Sequence, residues 1–242
     1  MFTAEIMQVS REKEFFRMQQ SLFGSLLTAQ DESPTVSLSS LLDQSLQEAV
    51  FTVIDCETTG LSAKKNALTE VTAIQYKNGQ EIAKYSTLVK PTEPISEEVE
   101  LLTGITNEMV ARSPALITVM TDLCSFIGPQ PIIVGHNVAF DIRFLQEKLH
   151  QSGLSNFVDR LDISTAFCTR ALALKALPGL PSYEGIVVAT QCGIQNPNPH
   201  RAENDVRMAA GILFALITRL QGQQPELKTL QHLLDYQGVL SL

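Results

Sequence analysis

The sequence predicts an α/β domain, a mixed β-sheet flanked by helices, and two features carry that prediction. Three strand-like runs come first, and the second and third are joined through Asn78-Gly79, a two-residue hairpin signal. Apolar strands then alternate with helical patterns, the order that lays helices across the faces of a sheet. With 242 residues, 44% of them hydrophobic, the chain can bury one sizeable core.

The elements follow in order. Residues 1–48 read as a helical N-terminal extension of unknown role, with Phe15, Met18, Leu22 and Leu26 at helical spacing. The polar segment Asp31-Glu32-Ser33-Pro34 splits it in two. Val50 to Asp55 is an apolar strand, and residues 67–77 and 81–90 are the hairpin arms. Residues 131–135 read as a buried strand, 138–150 as a helix, Leu161-Asp162-Ile163 as a short strand, and 201–220 as a long closing helix. That order is compatible with a ribonuclease-H-like fold over residues 49–221. After Gln223-Gln224-Pro225, the tail at 222–242 carries Leu227, Leu230, Leu233 and Leu234, a pattern suited to a partner-binding helix.

Composition excludes several classes. No apolar run approaches membrane-spanning length. The first 17 residues mix charges of both signs without an apolar core, so no secretory signal is expected. Cys56, Cys124, Cys168 and Cys192 show no paired spacing, which favours reduced thiols and a cytoplasmic location. The net charge of −8 has the wrong sign for a protein that coats nucleic acid. A polyanionic substrate would have to be gripped locally, by metal ions, backbone N–H groups and a few basic side chains.

Four acids sit where acids are costly. Asp55 and Glu57 share one side of a strand end, where they repel and lose hydration unless a cation lies between them. Taken alone, the pair also fits a polar strand end entering the turn Thr58-Thr59-Gly60. Asp141 falls on the apolar stripe of its helix with Val138 and Leu145, although a first-turn acid also favours the helix dipole. Asp205 aligns with Ala209, Ile212 and Leu216 on the apolar face of the closing helix. It requires a cation or strong donors, and Arg201 is one candidate for a salt bridge. His200 stands at the entrance to that helix. Four carboxylates and one imidazole, with no thiolate, suit two divalent cations, Mg²⁺ or Mn²⁺, around a phosphodiester. The imidazole would accept the proton of the attacking water.

Read together, three segments resemble the DEDDh-type 3′→5′ exonuclease family, and within it the proofreading epsilon subunits of bacterial DNA polymerase III. They are Asp55-Cys56-Glu57-Thr58-Thr59-Gly60-Leu61, Gly135-His136-Asn137-Val138-Ala139-Phe140-Asp141, and His200-Arg201-Ala202-Glu203-Asn204-Asp205. The resemblance implies a nuclease that releases nucleoside monophosphates from DNA 3′ ends. Asp55, Glu57, Asp141 and Asp205 would be metal ligands and His200 the general base. It further implies that Thr58, Thr59, Gly60 and Asn137 grip the terminal nucleotide while Leu102, Thr103 and Phe140 pack around its base and sugar. Packing against Phe144 is an equally ordinary role for Phe140.

The partners implied are single-stranded or frayed 3′ ends and a replicative polymerase subunit. Gln19-Gln20-Ser21-Leu22-Phe23 also resembles peptides that dock on the sliding clamp, against the plainer reading of a helical stripe. Two departures bear on attachment: the 48-residue extension, and a short Gln221–Gln224 run where the family has a long glutamine-rich linker. An RNA 3′-end trimming enzyme would use the same motifs. A non-catalytic binding module is the remaining alternative, set against an intact set of ligands.

Overall fold

The three early strands form one side of a five-stranded sheet of order β3-β2-β1-β4-β5. They are β1 (Val50–Thr58), β2 (Leu68–Lys77) and β3 (Gln80–Leu88), followed later by β4 (Ile132–Gly135) and β5 (Phe167–Cys168). The computed structural model describes residues 37–196 and 198–240. The Gln19–Phe23 peptide, and the rest of the extension up to residue 36, lie outside the described residues.

The hairpin forms at the predicted dipeptide. Asn78 and Gly79 have φ of 48° and 76°, the positive pair that a two-residue turn needs to match strand twist. β1 pairs antiparallel with β2 and parallel with β4, so the sheet is mixed. Both faces of β1 are covered, which explains its nearly unbroken apolar run. Phe51 and Val53 pack with Ile74, Tyr76 and Val134 against α8 (Ala202–Gln223), α6 (Thr169–Ala176) and α7 (Gly185–Gln191). Ile54 and Ala73, which point the other way, are equally buried. That leaves α4 (Leu116–Ile127) and α5 (Ala139–Gln151) to cover the second face. Shorter helices complete the set: α1 (Leu38–Leu42), α2 (Glu97–Thr103), α3 (Asn107–Val110) and α9 (Leu230–Gln237).

One strand is displaced from its expected position. Residues 161–163 do not form β5. The Asp162 carboxylate accepts from the Ser164 backbone N–H at 2.8 Å and from its hydroxyl at 2.7 Å, closing a 3₁₀ turn at Ile163–Thr165. Such local side-chain bonds compete with a strand ladder. Pairing with β4 falls instead to Phe167 and Cys168, opposite Val134 and Gly135.

The chain from Leu38 onward makes one compact unit. Leu46 N–H donates to Lys228 O at 2.9 Å and Leu230 N–H to Gln44 O at 3.0 Å, tying α1 and its following turn to α9. Leu227, Leu230 and Leu233 are buried in the main cluster. Gln237 reaches the sheet edge, accepting from Cys168 N–H at 2.6 Å and donating to Ala166 O at 3.0 Å.

Gly135 marks the closest approach between β4 and its neighbours. A Cβ there would stand 3.0 Å from Val138 Cγ2 and 3.1 Å from the Ile54 carbonyl oxygen, and the latter cannot move aside. Gly135→Ala is therefore expected to destabilise the fold by about 1–3 kcal/mol, as overpacking does. Urea unfolding curves measure this directly, and an unchanged midpoint would show that the strands tolerate a wider spacing.

Candidate active site

Three element ends converge on one cleft of about 610 Å³. β1 delivers Asp55 and Glu57, the first turn of α5 delivers Asp141, and the first turn of α8 delivers Asp205. Asp55, Glu57 and Asp205 each place one carboxylate oxygen within 4.8 Å of the others. The β1–β2 register shifts between Glu57 and Thr58, so the strand turns just past the acids. Bulges of this kind re-aim side chains beside functional sites.

Asp141 and Asp205 are each held by neighbours of their own. Cys56 donates to Asp141 Oδ1 twice, from its backbone N–H at 3.0 Å and from its thiol at 3.2 Å. Burial and the adjacent carboxylates push the Cys56 thiol well up, so it remains protonated and a donor. Asp205 accepts Asn196 Nδ2 at 2.6 Å on one oxygen and the His200 backbone N–H at 2.8 Å on the other. Arg201, the candidate salt-bridge partner for Asp205, pairs instead with Glu70, through Nη2 at 2.9 Å and Nε at 3.2 Å. Ala202 N–H joins them at 3.0 Å. Glu70 lies opposite Glu57 in the register and is nearly fully buried. It caps α8, whose own N-cap residue supplies no side-chain bond.

The acids resist ionisation together. Burial is the largest cause for all four. Asp55 is raised well above the usual carboxylate range, with Asp141, Glu57 and Asp205 adding repulsion. Glu57 is pushed up to about 7 by burial, then by Asp205, Glu70 and Asp141, with Arg201 opposing. The Cys56 bonds temper the rise of Asp141, and the Asn196 and His200 bonds temper that of Asp205. An oxygen-only donor set that repels itself fits a hard divalent cation. Ligand oxygens across an Mg²⁺ ion are about 4 Å apart, so little closure would be needed.

The other predicted residues divide between the cleft and its surroundings. His200, Asn137 and Phe140 line it. His200 and Asn137 both have φ of 63°, a left-handed conformation that non-glycine residues adopt at a cost and that clusters at functional sites. Phe140 also contacts Phe144, with ring centroids 5.6 Å apart, the packing role expected of it. Thr58, Thr59, Gly60, Leu102 and Thr103 lie outside the cleft walls. The loop after β1 is nonetheless fixed. Thr59 donates to the Glu93 carboxylate, and buried Lys148 donates to Ala63 O at 2.8 Å and Asn66 O at 2.6 Å. Leu102 is exposed, while buried Thr103 donates its hydroxyl to Val99 O at 2.8 Å.

Glu70 and Asn196 went unnoticed in the sequence. Glu70 had a signal, a charge inside the apolar run Leu68–Ile74. Asn196 had none, lying in a polar loop.

Residues 52–213 match the RNase_T family, described as Exonuclease. The chain belongs to this exonuclease family. With membership comes the reaction class, 3′→5′ exonucleolytic hydrolysis. DNA polymerase III subunit epsilon of Aquifex aeolicus (strain VF5) is 33% identical over 175 residues, which are 72% of this chain and 84% of that protein. The 3'-5' exonuclease DinG of Bacillus subtilis (strain 168) is 30% identical over 185 residues, which span 76% of this chain but 19% of that larger protein. Among solved structures, exonuclease X in complex with 5′ overhanging duplex DNA shares the fold at a TM-score of 0.56 and 24% identity, covering 78% of this chain and 99% of that one. E. coli exonuclease I with a dT13 oligonucleotide gives 0.63 and 19%, over 73% of this chain and 42% of that one. No helix among the described residues is long and apolar enough to cross a membrane.

Raised carboxylates mean that the folded state holds more protons than the unfolded chain from the ordinary carboxylate range up to about 7. The cluster's contribution to stability is therefore full below the unfolded values and is lost as pH rises through the folded ones. Protein held in chelator should melt at a lower temperature at pH 8 than at pH 5, by about 2–4 °C per kcal/mol. Asp55→Asn should flatten that slope, and differential scanning calorimetry at several pH values compares the two. Parallel slopes would mean that the acids do not repel one another as described.

Proposed function

We propose that this chain hydrolyses the terminal phosphodiester at DNA 3′ ends, releases nucleoside 5′-monophosphates, and serves proofreading during replication. The observation that carries the reading is the gathering of Asp55, Glu57 and Asp205 oxygens within 4.8 Å, beside Asp141. Proofreading draws support from the similarity to a polymerase III epsilon subunit along most of that subunit's length. The reading takes single-stranded or frayed 3′ ends as substrate, with a replicative polymerase subunit and the sliding clamp as partners. Four free cysteines suit a cytoplasmic setting.

Asp55, Glu57 and Asp205 would hold the cation pair, Mg²⁺ or Mn²⁺, with Asp141 contributing as a further ligand. When bound, such a pair stabilises charge on the attacking and leaving oxygens of an in-line displacement. Asn196 and the His200 backbone keep Asp205 turned toward the cleft. The His200 ring, projecting from the loop before α8, accepts a proton from the attacking water. Asn137 and Phe140 face the terminal nucleotide, and Thr58, Thr59, Gly60, Leu102 and Thr103 border it from the neighbouring loop and from α2.

Digestion of matched single-stranded DNA, mispaired-primer DNA and RNA tests the reading. DNA ends should be degraded fastest and a mispaired terminus faster than a paired one, whereas faster RNA trimming would reassign the substrate. Asp55→Ala should abolish hydrolysis while leaving the fold intact, and near-normal rates in Mg²⁺ would remove Asp55 from the ligand set. His200→Ala should slow the chemical step by about 10²–10⁴-fold. Mn²⁺ affinity by calorimetry should stay largely unchanged in that variant. If affinity falls along with the rate, His200 is a ligand rather than the base.

A further inference from the structure

The cleft is lined by five carboxylates, those of Asp55, Glu57, Asp141, Glu184 and Asp205, and among the described residues by a single Lys or Arg, Arg170. Most other arginines near the sheet are engaged: Arg201 with Glu70, Arg207 with Glu81 and Glu203, Arg219 with the Ala176 carbonyl. Arg170 is exposed, and no described residue bonds to its guanidinium. Its backbone, by contrast, is tightly placed. It follows Thr169, whose hydroxyl meets His136 Nδ1 at 2.8 Å, while His136 Nε2 meets the Tyr183 carbonyl at 3.0 Å. Since a carbonyl can only accept, Nε2 carries the proton, and in a neutral ring Nδ1 is left to accept from the hydroxyl. A neutral His136 agrees with its lowered pKa, set by burial first and by the charge of Arg170 as well. Arg170, His136, Tyr183 and half-exposed Ile186 thus form one wall, which also holds Glu184 and is built from segments other than those of Asp55, Glu57, Asp141 and Asp205.

We infer that Arg170 is a substrate-binding residue that pairs with the phosphodiester one nucleotide 5′ of the bond being cut. The inference rests on the exonuclease reading of the same cleft. The bond being cut must lie at the carboxylates, so a cation on the separate wall meets the next phosphate of the strand. An anionic strand entering an acidic cleft needs one such contact, and a guanidinium with free donors can pair with two phosphate oxygens at once. Ile186 offers an apolar surface to the sugar or base beside it.

The test uses two substrates with Mg²⁺ present. One is a ten-residue oligothymidylate. The other is the p-nitrophenyl ester of thymidine 5′-monophosphate, which has the reacting phosphate and no second one. Arg170→Gln should raise KM for the oligonucleotide about tenfold or more, the loss expected for a charged hydrogen bond. Its kcat should be unchanged, and so should its hydrolysis of the ester. The slope of log KM against log salt should fall by about 0.7, one phosphate contact on a single strand. Arg170→Lys, which keeps the charge without the fork, should lie between. An unchanged oligonucleotide KM overturns the assignment, and so does an equal loss on both substrates, which would place Arg170 at the reacting phosphate or in the fold. A wild-type protein inactive on both substrates would instead remove the exonuclease reading on which the inference rests.

Discussion

Mutual repulsion among four carboxylates, Asp141 buried and the other three partly so, is the constraint around which this protein is organised. Asp55, Glu57, Asp141 and Asp205 come from three different elements, and burial alone would drive each toward its neutral form. A packed apolar site could not hold them. The fold answers with donors aimed at individual oxygens, Cys56 for Asp141 and Asn196 with the His200 backbone for Asp205. Those bonds orient the acids without neutralising them, since the strongest salt bridge nearby, Arg201 to Glu70, is turned to a different carboxylate. The site is left short of positive charge, as a metal-binding group of acids is.

The sheet provides rigidity for that arrangement. Phe51 meets Phe167 edge-on at 6.1 Å and Phe214 at 5.8 Å, so β1, β5 and α8 share one packed junction below the acids. Glu70 then ties the start of α8 to β2, on the strand position facing Glu57. Asp205 is therefore referenced to β2, the strand paired with the β1 segment that carries Asp55 and Glu57, and its separation from them is set by backbone pairing rather than by loop conformation. The left-handed residues Asn137 and His200 sit where α5 and α8 begin. Their strain is tolerable because the elements on either side are fixed independently.

How much of this was legible follows from how local each signal is. The Asn78-Gly79 hairpin, the apolar β1 run and the long closing helix have sequence periods of their own and were readable. So was the membership of Asp55, Asp141 and Asp205 in one site, because an acid on an apolar helix face or strand end is conspicuous. The β5 position was not, because Leu161 and Phe167 are both buried and only the Asp162–Ser164 turn decides between them. Arg201 illustrates the deeper limit. Spacing along the helix offered Asp205 as its partner, whereas the actual partner, Glu70, lies 131 residues away and is brought there by strand pairing. Tertiary partners of a charge leave no local trace.

Charge placement outside the cleft sharpens the substrate problem. Lys84 and Arg207 are drawn to Glu203, and Arg207 also to Glu81, on the surface shared by β3 and α8. Basic side chains there are compensated, and with a net charge of −8 the protein offers little long-range attraction to a nucleic acid. Screening limits what remains to roughly 8–10 Å at moderate salt. A strand end must therefore reach the cleft by short-range contacts, through the cations and through whatever cation the protein itself projects inward. Weak capture from solution is the physical result, and it suits an enzyme that should not degrade every exposed end it meets. Delivery by a tethering partner would raise the local concentration of ends without any change in the cleft. Under the proofreading proposal, the acidity of the chain works as a filter, leaving hydrolysis to ends that are held in place by something else.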